Sequence, residues 1–160
     1  MPTFGHSPLV DLGDKVVADI IAVAPWTPSG GGALTFTPRR VYYLTPYEPT
    51  DTALHVDVAV AELDSEELAD RAGVTDRTYV VAIAVQEVLA DKTDKAAVDA
   101  LVNFVEALRG FYPLQSEFTV AGSQKARCVK RETVVTYSPE ELAKDARFFS
   151  IVHLTFEGWF

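Results

Sequence analysis

One cysteine in 160 residues, Cys128, rules out an internal disulfide framework and any zinc site built from several thiolates, so the fold rests on ordinary packing. Histidine is nearly as scarce. His6, His55 and His153 lie far apart, and none has an acid, histidine or cysteine at a spacing that a helix or tight turn converts into a metal site. Positive charge is also short, with 14 Lys and Arg against 23 Asp and Glu for a formal net charge of −9, which repels phosphate backbones and anionic lipid headgroups. The two basic clusters, Arg39-Arg40 and residues 125–131, are local exceptions, and the second alternates like a strand whose charges protect an edge. No apolar run approaches the length of a membrane span, and Met1-Pro2-Thr3-Phe4-Gly5 lacks the charged and apolar regions of a signal peptide. The expectation is a protein made and used in the cytoplasm, without a membrane partner.

Catalytic patterns are missing as well. Gly30-Gly31-Gly32 has neither the lysine nor the hydroxyl of a phosphate loop and leads into Ala33-Leu34, not a helix. The acid-rich run from Glu62 to Asp70 lacks the glycine-centred ligand spacing of a calcium loop and reads as a solvated helix face. No serine sits in a Gly-x-Ser-x-Gly context, and Cys128 reads as a small apolar strand residue. His55 and Asp57 share a strand face, yet no nucleophile accompanies them. These absences point to a chain that is not an enzyme and needs no cofactor or metal.

What is present is alternating and amphipathic pattern over the length of a single domain, 1–160. Leu12, Val16, Val17, Ile20, Ile21 and Ala24 recur at helical steps over residues 11–24, with Asp11 or Asp14 placed to cap the first turn. A flexible Pro/Gly loop at 26–38 leads to a strand over residues 36–44, closed by Pro46 and Pro49. Residues 54–61 alternate strictly, Val56, Val58 and Val60 against His55, Asp57 and Ala59, which predicts one face on a core and one accessible. After an acidic helical link at 64–73, residues 77–89 are apolar on both faces and read as a central strand. A helix runs from an Asp94 cap to a stop at Gly110. A strand at 126–137, a turn in which Ser138 and Glu141 form a capping box, and a last strand at 147–157 complete the order. The fold class is α+β: a mainly antiparallel sheet of four to five strands with two helices on one face.

Aromatics supply the remaining signal. Trp26, Tyr42, Tyr43, Tyr47, Phe111, Tyr112, Trp159 and Phe160 fall in loops, at strand ends or at the terminus, where such side chains anchor interfaces. The expected partner interface comprises Trp26, Arg39, Arg40, Tyr42, Tyr47, Trp159 and Phe160. The alternating stretch from Arg147 to Phe160 stops on two aromatics with no polar tail, as a docked end does.

The element order, with Tyr79–Gln86, Val98–Arg109, Tyr137-Ser138-Pro139-Glu140-Glu141-Leu142 and Phe149–Phe156 as its strongest parts, resembles small neck and tail-completion proteins of long-tailed bacteriophages. The likeness covers most of residues 11–157. It implies a tail-terminator-like virion subunit, assembled in the host bacterial cytoplasm. Such a subunit forms a ring, typically a hexamer, that caps the tail tube protein and meets the head connector or stopper protein. DNA would only pass through its lumen. A head-side stopper or connector subunit, or a small α+β ligand-binding or enzymatic domain, are the other readings. The 26–38 loop and the Gly158-Trp159-Phe160 ending depart from the family pattern.

Overall fold

The computed structural model describes residues 7–29, 31–62, 67–68, 75–135 and 137–159. Helix α1, Pro8–Val23, opens with Pro at its first turn, where the ring presets φ and the missing N–H is no loss. Its N-cap is Ser7, with no side-chain bond, so the expected Asp11 or Asp14 cap is replaced by a start three residues earlier; Asp11 sits within the first turn instead. Helix α2, Lys95–Gly110, begins as its sequence implied, with the Asp94 carboxylate accepting from the Ala97 amide at 3.2 Å. Gly110 is the last helical residue and not the residue beyond it. The capped turn extends into a third helix, α3, Pro139–Asp145, in which Ser138 Oγ accepts from the Glu141 amide.

The strands are β1, Arg39–Val41, β2, His55–Glu62, β3, Glu67–Leu68, β4, Thr75–Val88, β5, Glu117–Ala121, β6, Gln124–Val135, and β7, Arg147–Trp159. They form one sheet in the order β1-β2-β4-β7-β6-β5, with β3 pairing only a short stretch of β4. Every pairing is antiparallel except β1 with β2, which is parallel. The sheet is therefore mixed and wider than the four or five strands expected. β3 and β5 are the added strands. Glu117–Ala121 forms a hairpin with β6 through Gly122-Ser123, where Gly122 takes φ +55°, a value only glycine adopts without strain. The strand expected over 36–44 contracts to three residues because Pro38 precedes it and the chain leaves the sheet after Val41. Of the acidic link at 64–73, only Glu67–Leu68 is described, and its backbone pairs as strand, not helix; the rest lies outside the described residues.

β4 is central, as its two apolar faces implied, and β7 lies between it and β6. Register puts Val56 beside Val85, Val58 beside Ile83, Tyr79 beside Phe156, Val81 beside Leu154 and Ile83 beside Val152. These side chains share one face, and Leu12, Val16 and Ile20 of α1 with Leu101, Phe104, Val105 and Leu108 of α2 bury against them in a single core. α1 touches β1 and β2 near one end of the strand order and β5 at the other, so the sheet curls around it. Gly13 permits this approach: a Cβ there would lie 2.5 Å from Arg40 Cδ and 3.1 Å from Val60 Cγ2. Tyr112 ties the layers, donating its hydroxyl to Asp19 of α1 at 2.7 Å; burial, then that bond, push the phenol far above its ordinary pKa. α3 packs on β7, where Tyr137 stacks near Phe148.

From the loop at 26–38, Trp26 joins this core and Leu34 and Phe36 pack against it. Trp26 is buried, donates Nε1–H to the Ile20 carbonyl at 2.9 Å, and packs edge-on to Phe104 with ring centroids 5.4 Å apart. Leu34 returns its amide to the Trp26 carbonyl at 2.8 Å, closing the loop on itself, while Phe36 lies 5.1 Å from Phe104.

Candidate functional site

Alternate residues of the same strands point outward, away from the helices, and this outer face divides into two regions. Over one end lies the segment 42–53, which leaves β1 and crosses the sheet as a strap. Gln86 holds it: its side-chain oxygen accepts from the Tyr47 amide at 3.2 Å and its amide nitrogen donates to the Thr45 carbonyl at 2.9 Å. Asp57 holds it again, accepting from Tyr47 Oη and Arg39 Nε, both at 2.7 Å. Arg147 donates to the Tyr47 carbonyl at 2.8 Å, and the Tyr47 ring stacks on His55 with centroids 3.6 Å apart. His55 Nε2 meets Asp51 Oδ2 at 2.8 Å, and this bond, with the Ala53 amide, holds the Asp51 carboxyl below the usual carboxylate range. Nearby Glu87 is half-buried, and desolvation raises its carboxyl.

The strap accounts for Asp57, which retains only 3 % of its surface although its strand face was expected to be accessible. Its charge is stabilised by Arg39, partly solvated, and by the Tyr47 hydroxyl. His55 and Asp57 thus engage separate partners and form no acid–base pair. Tyr47, Asp51, His55, Gln86, Glu87 and Arg147 close on one another and leave no volume for a bound molecule.

Beyond the strap the outer face is open. A shallow groove of about 580 Å³ has Ala59, Ala61, Val80 and Ala82 as its floor, with His153 and Thr155 of β7 alongside. Tyr42, 78 % exposed, stands on one rim. Lys130 and Glu132, paired at 2.6 Å, stand on the other, and that bond lowers the Glu132 carboxyl. Along the same face toward the end of β7, Arg127 bonds Glu157 at 3.1 Å and lies 5.3 Å over the Trp159 ring, and Lys125 pairs with Glu117 at 2.8 Å.

The seven residues expected to form one interface are distributed over different roles. Trp26 faces inward, because its indole fills the gap between α1 and α2, and so is not an exposed anchor. Arg39 and Tyr47 are brought together, but by Asp57 within the strap. Arg40 turns back to Asp14 of α1 at 2.7 Å and lies 5.2 Å over the Tyr42 ring. Tyr42 remains exposed. Trp159 is part of β7, opposite Asp76 and Lys125, and half-buried. Phe160 lies outside the described residues. The sequence reading missed the groove itself, whose signal was the small size of Ala59, Ala61 and Ala82 at outward positions.

Cys128 is buried, and desolvation raises its thiol, the opposite of what activates a nucleophile. Among the described residues no group of three His, Cys, Asp or Glu is arranged to hold a metal ion, and no helix is long and apolar enough to cross a membrane. No protein-family model matches the chain, and no curated protein matches its sequence.

Proposed function

We propose that this chain is a structural virion protein of a phage neck, most specifically a tail terminator subunit. In this reading identical subunits form a ring that caps the tail tube and joins it to the head connector. The observation that carries it is the asymmetry of the sheet. One face is filled by α1 and α2, while the other keeps an open groove beside a strap with no room for a ligand. That arrangement suits a subunit that works by presenting surface, and it offers a small-molecule enzyme little to act with. The acidic balance of −9 fits a lumen through which DNA passes without adhering.

The test is electron microscopy of lysates from a phage carrying a null allele of this gene. Overlong tails without heads are the expected result. Normal-length tails separated from heads would move the protein to the head-side stopper or connector position. Intact infectious particles would overturn the neck reading altogether.

A further inference from the structure

We infer that the strap, residues 42–53, is a lid that opens as a unit while the sheet stays folded, and that its release extends the open groove to Ala84. The strap contributes little to the core. Trp26 of the other long loop is a core residue, and Leu34 and Phe36 pack against it, whereas Tyr42, Tyr43, Leu44 and Tyr47 do neither. Tyr42 and Tyr43 are exposed, and Leu44, Tyr47 and Asp51 are only half-buried. A segment with few buried apolar contacts opens at the low end of a fold's range of local stabilities.

Its attachment is concentrated on one residue. Among the described residues no backbone-to-backbone hydrogen bond ties the strap to the sheet; side chains of the sheet hold it instead. Gln86 accepts from the Tyr47 amide, Arg147 donates to the Tyr47 carbonyl, Asp57 accepts from the Tyr47 hydroxyl, and His55 stacks on the Tyr47 ring. Withdrawing Tyr47 therefore undoes most of the attachment. Asp57 keeps Arg39 Nε at 2.7 Å when the strap leaves, so its charge is not stranded, and the other groups exchange their bonds for water. Pro46 and Pro49 fix the backbone on either side of Tyr47 and bias Thr45 and Glu48 toward extended conformations, which leaves the open segment less freedom to lose on closing.

The groove floor continues beneath the strap. Ala84 follows Val80 and Ala82 on the outer side of β4, lies opposite Asp57 on one neighbour and Ile151 on the other, and has no exposed surface. Asp57 and Gln86, which flank it, are the residues that hold the strap.

The test places a thiol under the strap with Ala84→Cys and uses the native Cys128, buried in the core, to report global unfolding. Labelling of each thiol is followed by mass spectrometry over a series of urea concentrations below the unfolding transition. The introduced thiol should label about a hundredfold or more faster than Cys128, at a rate that holds within about twofold across the series, because lifting the strap exposes little surface. Adding Tyr47→Ala should speed that labelling about tenfold or more and leave Cys128 within about twofold, with Tyr47→Phe, which loses the hydroxyl bond to Asp57, in between. Should Ala84→Cys fail to fold, chymotryptic cleavage after Tyr47 in the unaltered chain reads the same opening and should be as insensitive to urea. A site under the strap that reacts only as fast as Cys128, both rates rising together with urea, would overturn the proposal by making the strap part of the cooperative fold. Labelling of the introduced thiol that is unchanged by Tyr47→Ala would overturn it as well, since something other than the strap would then cover Ala84.

Discussion

The two faces of the sheet are made from alternate residues of the same strands, yet they carry opposite kinds of side chain. On the inner face the strands carry Val58, Tyr79, Ile83, Leu154 and Phe156, each with almost no exposed surface. One step along the chain, the outer positions carry Ala59, Val80, Ala82 and Thr155 beneath an open groove. Large side chains appear where α1 and α2 cover them, because burying apolar area is what stabilises the fold, at roughly 25 cal/mol per Å². Small side chains on the other face give little to the chain's own stability and leave the backbone approachable. The difference separates residues that hold the fold together from residues that the fold does not need.

That division can be broken most sharply at two adjacent residues of β7. Phe156→Ala removes a ring packed against Tyr112 and Phe118 and should cost about 3–5 kcal/mol in denaturant unfolding. Thr155→Ala, pointing the other way into the groove, should change stability by less than about 0.5 kcal/mol. Equal losses at the two positions would mean that the outer face is also part of the folding core.

The strap is where the outer face departs from its own pattern, and Asp57 measures by how much. Asp57→Ala leaves Tyr47 Oη and Arg39 Nε without their acceptor and should cost about 1–3 kcal/mol, with faster proteolysis within residues 42–53. A stable variant whose strap resists protease as wild type does would show that Gln86 and Arg147 suffice to hold it.

The smallest effect is a pH dependence at Glu87. Its carboxyl is raised by desolvation, so the folded state binds the proton more tightly than the unfolded chain. Stability is then lost as pH rises from the ordinary carboxylate range through the raised folded value. Glu87→Gln should raise the melting temperature at pH 7 and leave it unchanged at pH 3, where the wild-type group is protonated in both states. A variant equally stabilised at both pH values would place the effect in packing and not in charge.

Period-two alternation made β2, β4 and β7 legible, because burial on at least one face constrains every second residue. The Asp94 cap and helical spacing did the same for α2. Much of what remained hidden depends on residues distant in sequence. Asp57 looked accessible because the strap that covers it leaves β1 ten or more positions earlier, and Trp26 looked like a display residue because its pocket is built by Phe104 and Phe111. The short parallel β1 is specified by where β2 runs more than by its own three residues. β5 lies in a stretch before the strand at 126–137 to which no element was assigned, although Phe118 and Val120 alternate with polar neighbours. Tyr42 was readable as an exposed aromatic, while the groove beside it exists only once four strands are laid in register.

The position of β7 has a consequence for how the molecule is made. It is the last of these strands to leave the ribosome, and it lies between β4 on one side and β6 on the other. Until it emerges, β1, β2 and β4 form one group and the β5–β6 hairpin another, with no strand to join them. Closure of the sheet therefore needs Arg147–Trp159, and without that strand no sheet pairing links the two groups, which share only their packing on α1.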